Sequence, residues 1–425
     1  MDIASQLQRR RSALAQAWNL TDEVVLVGAG DPIHIPGRAD LTYPFRAHSE
    51  YFYLTDHNGP GGVLAFDPHE GWVHFVPAIT EGDRLWSGAP AGEPDGPTTD
   101  DLTGWLAGRN GRPVAALGAQ SDGVAGDAAL ATELRFALDD VRRPKDPVEL
   151  ERMRAAQRAT REAFATAVPL LRDGASERQV QIELEAAALR AGGDAMAYDT
   201  IIGGGPNSAV LHFAPTPRRF ADGELVLIDA GAEVRFYASD ITRTYPVGGR
   251  LGAEQAELHA LVRAAELAAI ERCTPGTEWR DVHRAAALTI AQGLAAHGVL
   301  RGDPESLVES GATFLFFPHG IGHLVGLGVR DAGGPLASRR NDPPPFPNLR
   351  IDLPLEPGMT VTVEPGIYFV PALLNAPDRR RRYRDEVDWD RVDRMLGFGG
   401  IRIEDNVLIT ADGHEVITAD VPVLG

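Results

Sequence analysis

Four acidic side chains lie on strand-like segments, three of them at the end of an apolar run. Asp229 follows LVLI, Asp240 comes eleven residues later in the same segment (ELVLIDAGAEVRFYASDITRTYPVGG, 224–249), Glu364 closes MTVTVE, and Glu404 lies in GGIRIEDNVLIT (399–410). An unpaired carboxylate is costly to bury in such surroundings. Arginines such as Arg243 and Arg402 could neutralise one of these acids, but four are too many, and like charges that converge need a cation. Nitrogen donors come from FFPHGIGHLVGLGVRD (316–331), where His319 and His323 are four residues apart. A zinc-protease helix would need a glutamate where Gly320 stands, so that motif is excluded. Four glycines between 320 and 328 also argue against a helix, since each costs about 1 kcal/mol relative to alanine. An extended or bulged strand is expected instead. In a regular strand the two histidines would share a face about 13 Å apart, four steps of about 3.3 Å. At most one of them then ligates a given ion, and the other serves the substrate or supports the ligands. Four carboxylates and one imidazole suit a pair of divalent ions, with manganese, cobalt or zinc all chemically suitable.

Positioning these groups falls to strands and helices that the pattern makes visible. EVVLVGAG (23–30), YFYLTD (51–56), GGVLAF (61–66) and GWVHFVP (71–77) read as strands behind a short amphipathic helix at 1–20. Residues 78–101 are turn-rich, and FALDDVRRPKDP (136–147) reads as a charged, proline-flanked hinge. Helices are expected at 148–171, from Ser176, at 253–272 and at 278–298, with strand-rich segments at 198–249 and 312–418. A helix pair followed by strands, twice over, suggests an internal duplication. The hairpin carrying Asp229 and Asp240 should turn near Val234–Arg235, which brings the two acids nearly opposite one another. The four arginines at 379–382 are expected in a solvated loop.

The whole-chain properties narrow the function classes. A chain of 425 residues exceeds what one core supports, so two domains are expected. A formal charge of −19 disfavours nucleic acid as a partner, because nucleic-acid binding needs a basic surface to displace counterions. The lone Cys273 excludes an internal disulfide and a thiolate cluster. With no signal-like apolar segment at the start and no long apolar run, a cytoplasmic, non-membrane protein is expected.

The five spaced motifs together resemble the pita-bread metallopeptidases: methionine aminopeptidase, Xaa-Pro aminopeptidase and Xaa-Pro dipeptidase (prolidase). The resemblance covers 150–418. It implies that Asp229, Asp240, His323, Glu364 and Glu404 hold two divalent metal ions, most simply Mn2+, with Asp240 and Glu404 shared between them. The preceding residues, notably YPFRAHSEYFYLTD (43–56), are similar to the N-terminal domain of the proline-specific and creatinase branches. The implied architecture is an α/β domain at 1–145 and an α+β pita-bread domain at 146–425, with a curved antiparallel sheet and pseudo-two-fold helix pairs. EPGIYFVPALL (364–374) and WDRVDRMLGFGGIRIEDNVLIT (389–410) look more like prolidase than aminopeptidase P. SAVLHF (208–213) is similar to the motif whose histidine lines the proline side of the site, which assigns that role to His212.

One departure stands out: relatives usually read His-Asp where this chain has Arg330–Asp331. A permanently charged fork replaces a titratable ring. Arg330 is therefore expected to grip the substrate's carboxylate, provided that a glycine bulge near 326–328 turns it toward the metals. The main expectation is a prolidase cleaving Xaa-Pro dipeptides, with a metal-bridging hydroxide as nucleophile and Glu364 as proton shuttle. His212, His319 and Arg330 are the further catalytic-site candidates. Arg402 would orient the shared carboxylates or bind substrate, and Asp31, Asp40 and Arg46 would cap the amine end, with a homodimer as the expected assembly. The alternative is an Xaa-Pro aminopeptidase acting on longer peptides. A non-catalytic adaptor is disfavoured, since all five ligand positions are filled.

Overall fold

The computed structural model describes residues 2–38, 41–88, 95–119, 126–346 and 348–424. The chain separates into two compact units, Met1–Arg142 and Arg143–Gly425. In the first unit four strands lie in the order Gly71–Phe75, Val63–Asp67, Val24–Gly28, Val114–Gly118. Val24–Gly28 runs antiparallel to Val63–Asp67 and parallel to Val114–Gly118. Helices Ile3–Trp18 and Ala128–Arg142 pack on each other beside this sheet. YFYLTD is not a strand but most of the helix Ser49–Thr55, whose residues Tyr51–Leu54 are all buried. A short helix buried all round shows no periodicity, so it reads like a core strand. Within 78–101, a Thr80–Asp83 capping box starts a helix at Glu81–Ser87.

The second unit opens where Asp146 caps the helix Pro147–Ala167, its carboxylate accepting from the amides of Val148 and Glu149. Ser176 and Gln179 form a second capping box at the start of Glu177–Arg190, which packs against the first helix. Helices Ala253–Ile270 and Trp279–Ala296 form the other pair, with Trp279 fully buried. The expected pairing of helices is therefore present.

The strands between the pairs are antiparallel. Leu225–Ala230 lies between Ile201–Gly204 and Ile241–Pro246, so that Asp229 faces Thr242 in register. The connecting hairpin turns at Arg235 and Phe236, both at positive φ (50° and 67°). Gly231 allows the two arms to close: a Cβ there would fall 1.7 Å from the Ser239 carbonyl oxygen. Thr360–Val363 pairs with Asp405–Ile409, and Gly366–Tyr368 pairs with Gly400–Arg402. A bridge between Thr242 and Glu404 joins the two sets of strands at the point where the acids collect.

Two further expectations change. The segment 316–331 is not a strand but an irregular chain touching its neighbours through isolated bridges, Leu324 to Val361 and Leu327 to Tyr237. A Cβ at Gly322 would lie 2.0 Å from the Thr362 carbonyl oxygen, so glycine lets this segment press flat on Thr360–Val363. The arginine run is not a loop either; it forms the helix Pro377–Arg382. Arg380 there lies over the Trp389 ring and donates to the Leu374 carbonyl.

Candidate metal centre

Asp229 is the penultimate residue of the strand Leu225–Ala230, and Asp240 immediately precedes Ile241–Pro246. The strand pairing thereby delivers both carboxylates to one spot. Tyr198 joins them, its hydroxyl 2.7 Å from Asp229 Oδ1 and 2.5 Å from Asp240 Oδ1. One phenol has one proton to donate, so it can satisfy only one of the two oxygens fully. Asn406 fixes the Asp240 backbone from both sides: its Oδ1 accepts from the Asp240 amide at 3.0 Å and its Nδ2 donates to the Asp240 carbonyl at 2.7 Å. Glu404 Oε2 accepts from Thr242 Oγ1 at 2.6 Å.

His323 enters from the irregular segment. Its amide donates to Thr362 Oγ1 at 3.1 Å, and its Nδ1 lies 3.1 Å from the Leu324 carbonyl. A carbonyl can only accept, so in the neutral ring Nδ1 carries the proton and Nε2 presents a lone pair. Burial pushes this imidazole down to about 4, which keeps it neutral. Nε2 points at Asp240 Oδ2 (3.5 Å) and Glu364 Oε1 (3.8 Å). His319 approaches the other oxygen of Glu364, with Nδ1 3.7 Å from Oε2. The strand-based separation of the two histidines does not hold, because the chain between them is bent rather than extended. Donor atoms of Asp240, His323 and Glu404 all lie within 4.8 Å of one another, a set that could hold a divalent ion.

The electrostatics fit a cation. Burial and the neighbouring acids hold Asp240 and Glu404 well above the carboxylate range. Glu364 is pushed up to about 7, chiefly by burial. Among the described residues, the one arginine or lysine in ion-pair contact with these four acids is Arg402, whose Nη2 donates to Asp229 Oδ2 at 2.6 Å. One guanidinium against four carboxylates leaves an excess that a pair of divalent ions would neutralise.

Behind this cluster runs a second set of hydrogen bonds. Arg402, only 3% exposed, also donates to Tyr368 Oη (2.9 Å) and Thr242 Oγ1 (3.2 Å). Tyr368 Oη in turn lies 2.8 Å from His319 Nε2, and His319 Nδ1 lies 2.9 Å from the Gly320 carbonyl. His319 is thus neutral, its pKa pushed down by burial to about 3, and oriented from both sides. Three of the five N–H donors of Arg402 are engaged with Thr242, Tyr368 and Asp229.

These groups open into a cavity of about 560 Å³, also lined by His212, Arg330 and Arg350. His212 and Arg330 are exposed at it. Arg330 follows a tight turn and not the bulged strand expected from sequence: Gly326 bridges Gly328, and Gly328 sits at φ 96°. Burial and then the nearby Arg330 lower the pKa of His212. Arg46 is exposed in the first unit, whereas the described lining residues of this cavity all belong to the second. Asp40 lies outside the described residues. Tyr198, Tyr368, Arg350 and Asn406 escaped the sequence reading. Only Asn406 left a signal there, two residues beyond Glu404 and so on the same side of an extended chain.

Residues 151–411 match the description "Metallopeptidase family M24", and residues 7–98 match "Aminopeptidase P, N-terminal domain". The chain belongs to metallopeptidase family M24, with the two-part pita-bread architecture of its proline-specific branch. A relative named probable Xaa-Pro aminopeptidase, from Ajellomyces capsulatus, is 31% identical over 405 residues, 89% of this chain and 86% of its own. Aminopeptidase PepP of Pseudomonas aeruginosa superposes with a TM-score of 0.81 at 30% identity, covering 99% of this chain and 96% of that one. The zinc-substituted Escherichia coli aminopeptidase P with product superposes at 0.80 with 29% identity, over 99% and 96%. These names favour the aminopeptidase alternative over the prolidase reading, so the two prolidase-like stretches did not discriminate between the branches.

Proposed function

We propose that this chain is a metal-dependent Xaa-Pro aminopeptidase that releases the N-terminal residue from peptides with proline in second place. The observation that carries the reading is the convergence of Asp240, His323 and Glu404 within 4.8 Å, beside Asp229 and Glu364, in a cavity open to solvent. The names of the aligned relatives support the bond that is cut.

In this reading Asp229, Asp240, His323, Glu364 and Glu404 hold two divalent ions. Such a pair acidifies water from about 15.7 toward about 7 and offsets negative charge developing on the scissile carbonyl. Manganese is the first expectation, with cobalt and zinc as alternatives. Glu364, the most open of the acids with its side chain 18% exposed, takes the proton released by the attacking water and returns it to the departing proline nitrogen. His212 donates a hydrogen bond on the proline side. Tyr198 and Arg402 hold Asp229 and Asp240 in place. His319, fixed by Tyr368 and Gly320, steadies Glu364.

Arg330 grips the carboxylate end of short substrates. It forms no hydrogen bond or ion pair among the described residues, so its donors are available to a ligand, and Arg350 lines the same cavity. Short peptides should therefore be preferred to long ones. The test is a series under manganese, cobalt and zinc: Ala-Pro, Ala-Pro-Ala and a proline-second tetrapeptide. Release of alanine from the tripeptide is expected. Cleavage of Ala-Pro alone would restore the dipeptidase reading, and no turnover with no bound metal would leave only the adaptor.

A further inference from the structure

Of the 41 basic residues in the chain, 40 are arginines and one is a lysine, Lys145. Its side chain is fully buried, and Nζ lies 2.6 Å from Oδ2 of Asp331, itself only 1% exposed at the side chain. The same ammonium donates to the Arg143 carbonyl at 2.9 Å. A compact, rotatable point charge fits where a planar guanidinium would need more room. The space above the pair is filled too: a Cβ at Gly326 would lie 2.4 Å from Asp331 Oδ2 and 2.5 Å from Lys145 Cε.

Asp331 follows Arg330 in the chain and closes the turn that bears it, its amide donating to the Leu324 carbonyl at 3.0 Å. The turn that leads into the strand Thr360–Val363 is tied in as well. The Lys145 amide donates to the Gly358 carbonyl at 2.8 Å, and Arg143 Nε donates to the Ala332 carbonyl at 3.1 Å. The segment 143–145 thus ties the C-terminal flank of the turn to the chain at Gly358. At the other end of this turn, His323 has anchors of its own, the Thr362 hydroxyl and the bridge between Leu324 and Val361. Arg330 has no side-chain anchor among the described residues.

We propose that Lys145 is a positioning residue for substrate specificity: through its buried ion pair with Asp331 it sets the turn that aims Arg330 at the substrate carboxylate. This rests on the reading of Arg330 given above. The Leu324 carbonyl serves both the Asp331 amide and His323 Nδ1, but the Thr362 hydroxyl and the Leu324–Val361 bridge hold His323 besides, so loss of the pair should be felt more in substrate binding than in the chemical step.

The test measures kcat and KM for Ala-Pro-Ala and its C-terminal amide in the full chain, with Arg330→Ala, Lys145→Met and the double variant, alongside thermal unfolding. Arg330→Ala and Lys145→Met should each raise KM for the free acid about tenfold, the value of one charge-assisted hydrogen bond. Each should also bring the acid and amide KM values together, with kcat little changed. The double variant should be no worse than the weaker-binding single, as expected when one residue acts through the other. Should Lys145→Met fail to fold, Asp331→Asn replaces it and should give the same KM rise. An unchanged KM in folded Lys145→Met, a loss confined to kcat, or KM losses that multiply in the double variant would each overturn the proposal while leaving Arg330 in its role. An unchanged KM in Arg330→Ala would remove the Arg330 reading and this inference together.

Discussion

The Tyr198 hydroxyl lies between two carboxylate oxygens with one proton to give, at 2.7 Å from Asp229 and 2.5 Å from Asp240. Its own ionisation is suppressed, first by burial and then by Asp229, Asp240 and Glu404, so it acts as a fixed donor. A donor behind the ligands sets the direction of their free lone pairs, and loss of such a partner typically costs about 10–100-fold in metal affinity. Tyr198→Phe is therefore expected to weaken manganese binding by about that factor with the fold retained. Calorimetric titration measures it, and an unchanged affinity would show that the hydroxyl does not orient the acids.

At the level of elements, the site depends on glycines that let chains touch and on charges that pin strand ends. Gly231 and Gly322 serve the first purpose, at the Ser239 and Thr362 carbonyls. In the other unit, Asp67 ends the strand Val63–Asp67 and accepts from Arg109 Nε at 2.6 Å and Arg112 Nη1 at 2.9 Å. The hydrogen bond from Arg112 holds the Asp67 carboxyl well below its usual range. A group whose folded pKa is depressed stabilises fully above its unfolded value, about 3.9, and that stability is lost as pH falls through the folded value. The first unit should thus lose stability progressively below about pH 4. Asp67→Asn should remove this part of the acid sensitivity and cost about 2 kcal/mol at neutral pH, because Arg109 and the half-buried Arg112 lose the charge they share at Asp67 while keeping Glu70 and Asp22. Urea unfolding of both proteins at pH 7 and pH 3.5 checks it; equal stabilities at pH 7 would mean that the pair contributes nothing net.

For the whole molecule, a site that gathers acids from within or beside the strands at 225–230, 241–246, 360–363 and 405–409 and a histidine from 316–331 links metal binding to folding. A ligand that binds only the folded state adds about 2.7 kcal/mol at 100 times its dissociation constant. Manganese should raise the unfolding temperature of the second unit by about 5 °C, at about 2 °C per kcal/mol for a domain of this size, and a chelator should reverse it. The first unit should not respond. Calorimetric scans with and without metal resolve the two transitions, and a shift in the first unit alone would place the ion elsewhere. Among the described residues no helix is long and apolar enough to cross a membrane.

The helices were legible because apolar residues recur at helical spacing, and in the first pair the starts also carry chemistry that acts locally, where Asp146 and Ser176 cap. Asp229, Glu364 and Glu404 were legible for a related reason, since a carboxylate closing an apolar run is an energetic anomaly that needs no neighbour to be noticed, and Asp240 was legible from the hairpin that sets it opposite Asp229. The buried helix Ser49–Thr55, the bent path from His319 to His323 and the partners Tyr198 and Tyr368 were not. Each depends on what lies across space, and no one-dimensional spacing records which chain will be pressed against which. Sequence by itself determined the charges and the breaks in regularity. Tertiary structure alone decided which of them meet, because burial and contact belong to the packed molecule and not to any segment of it.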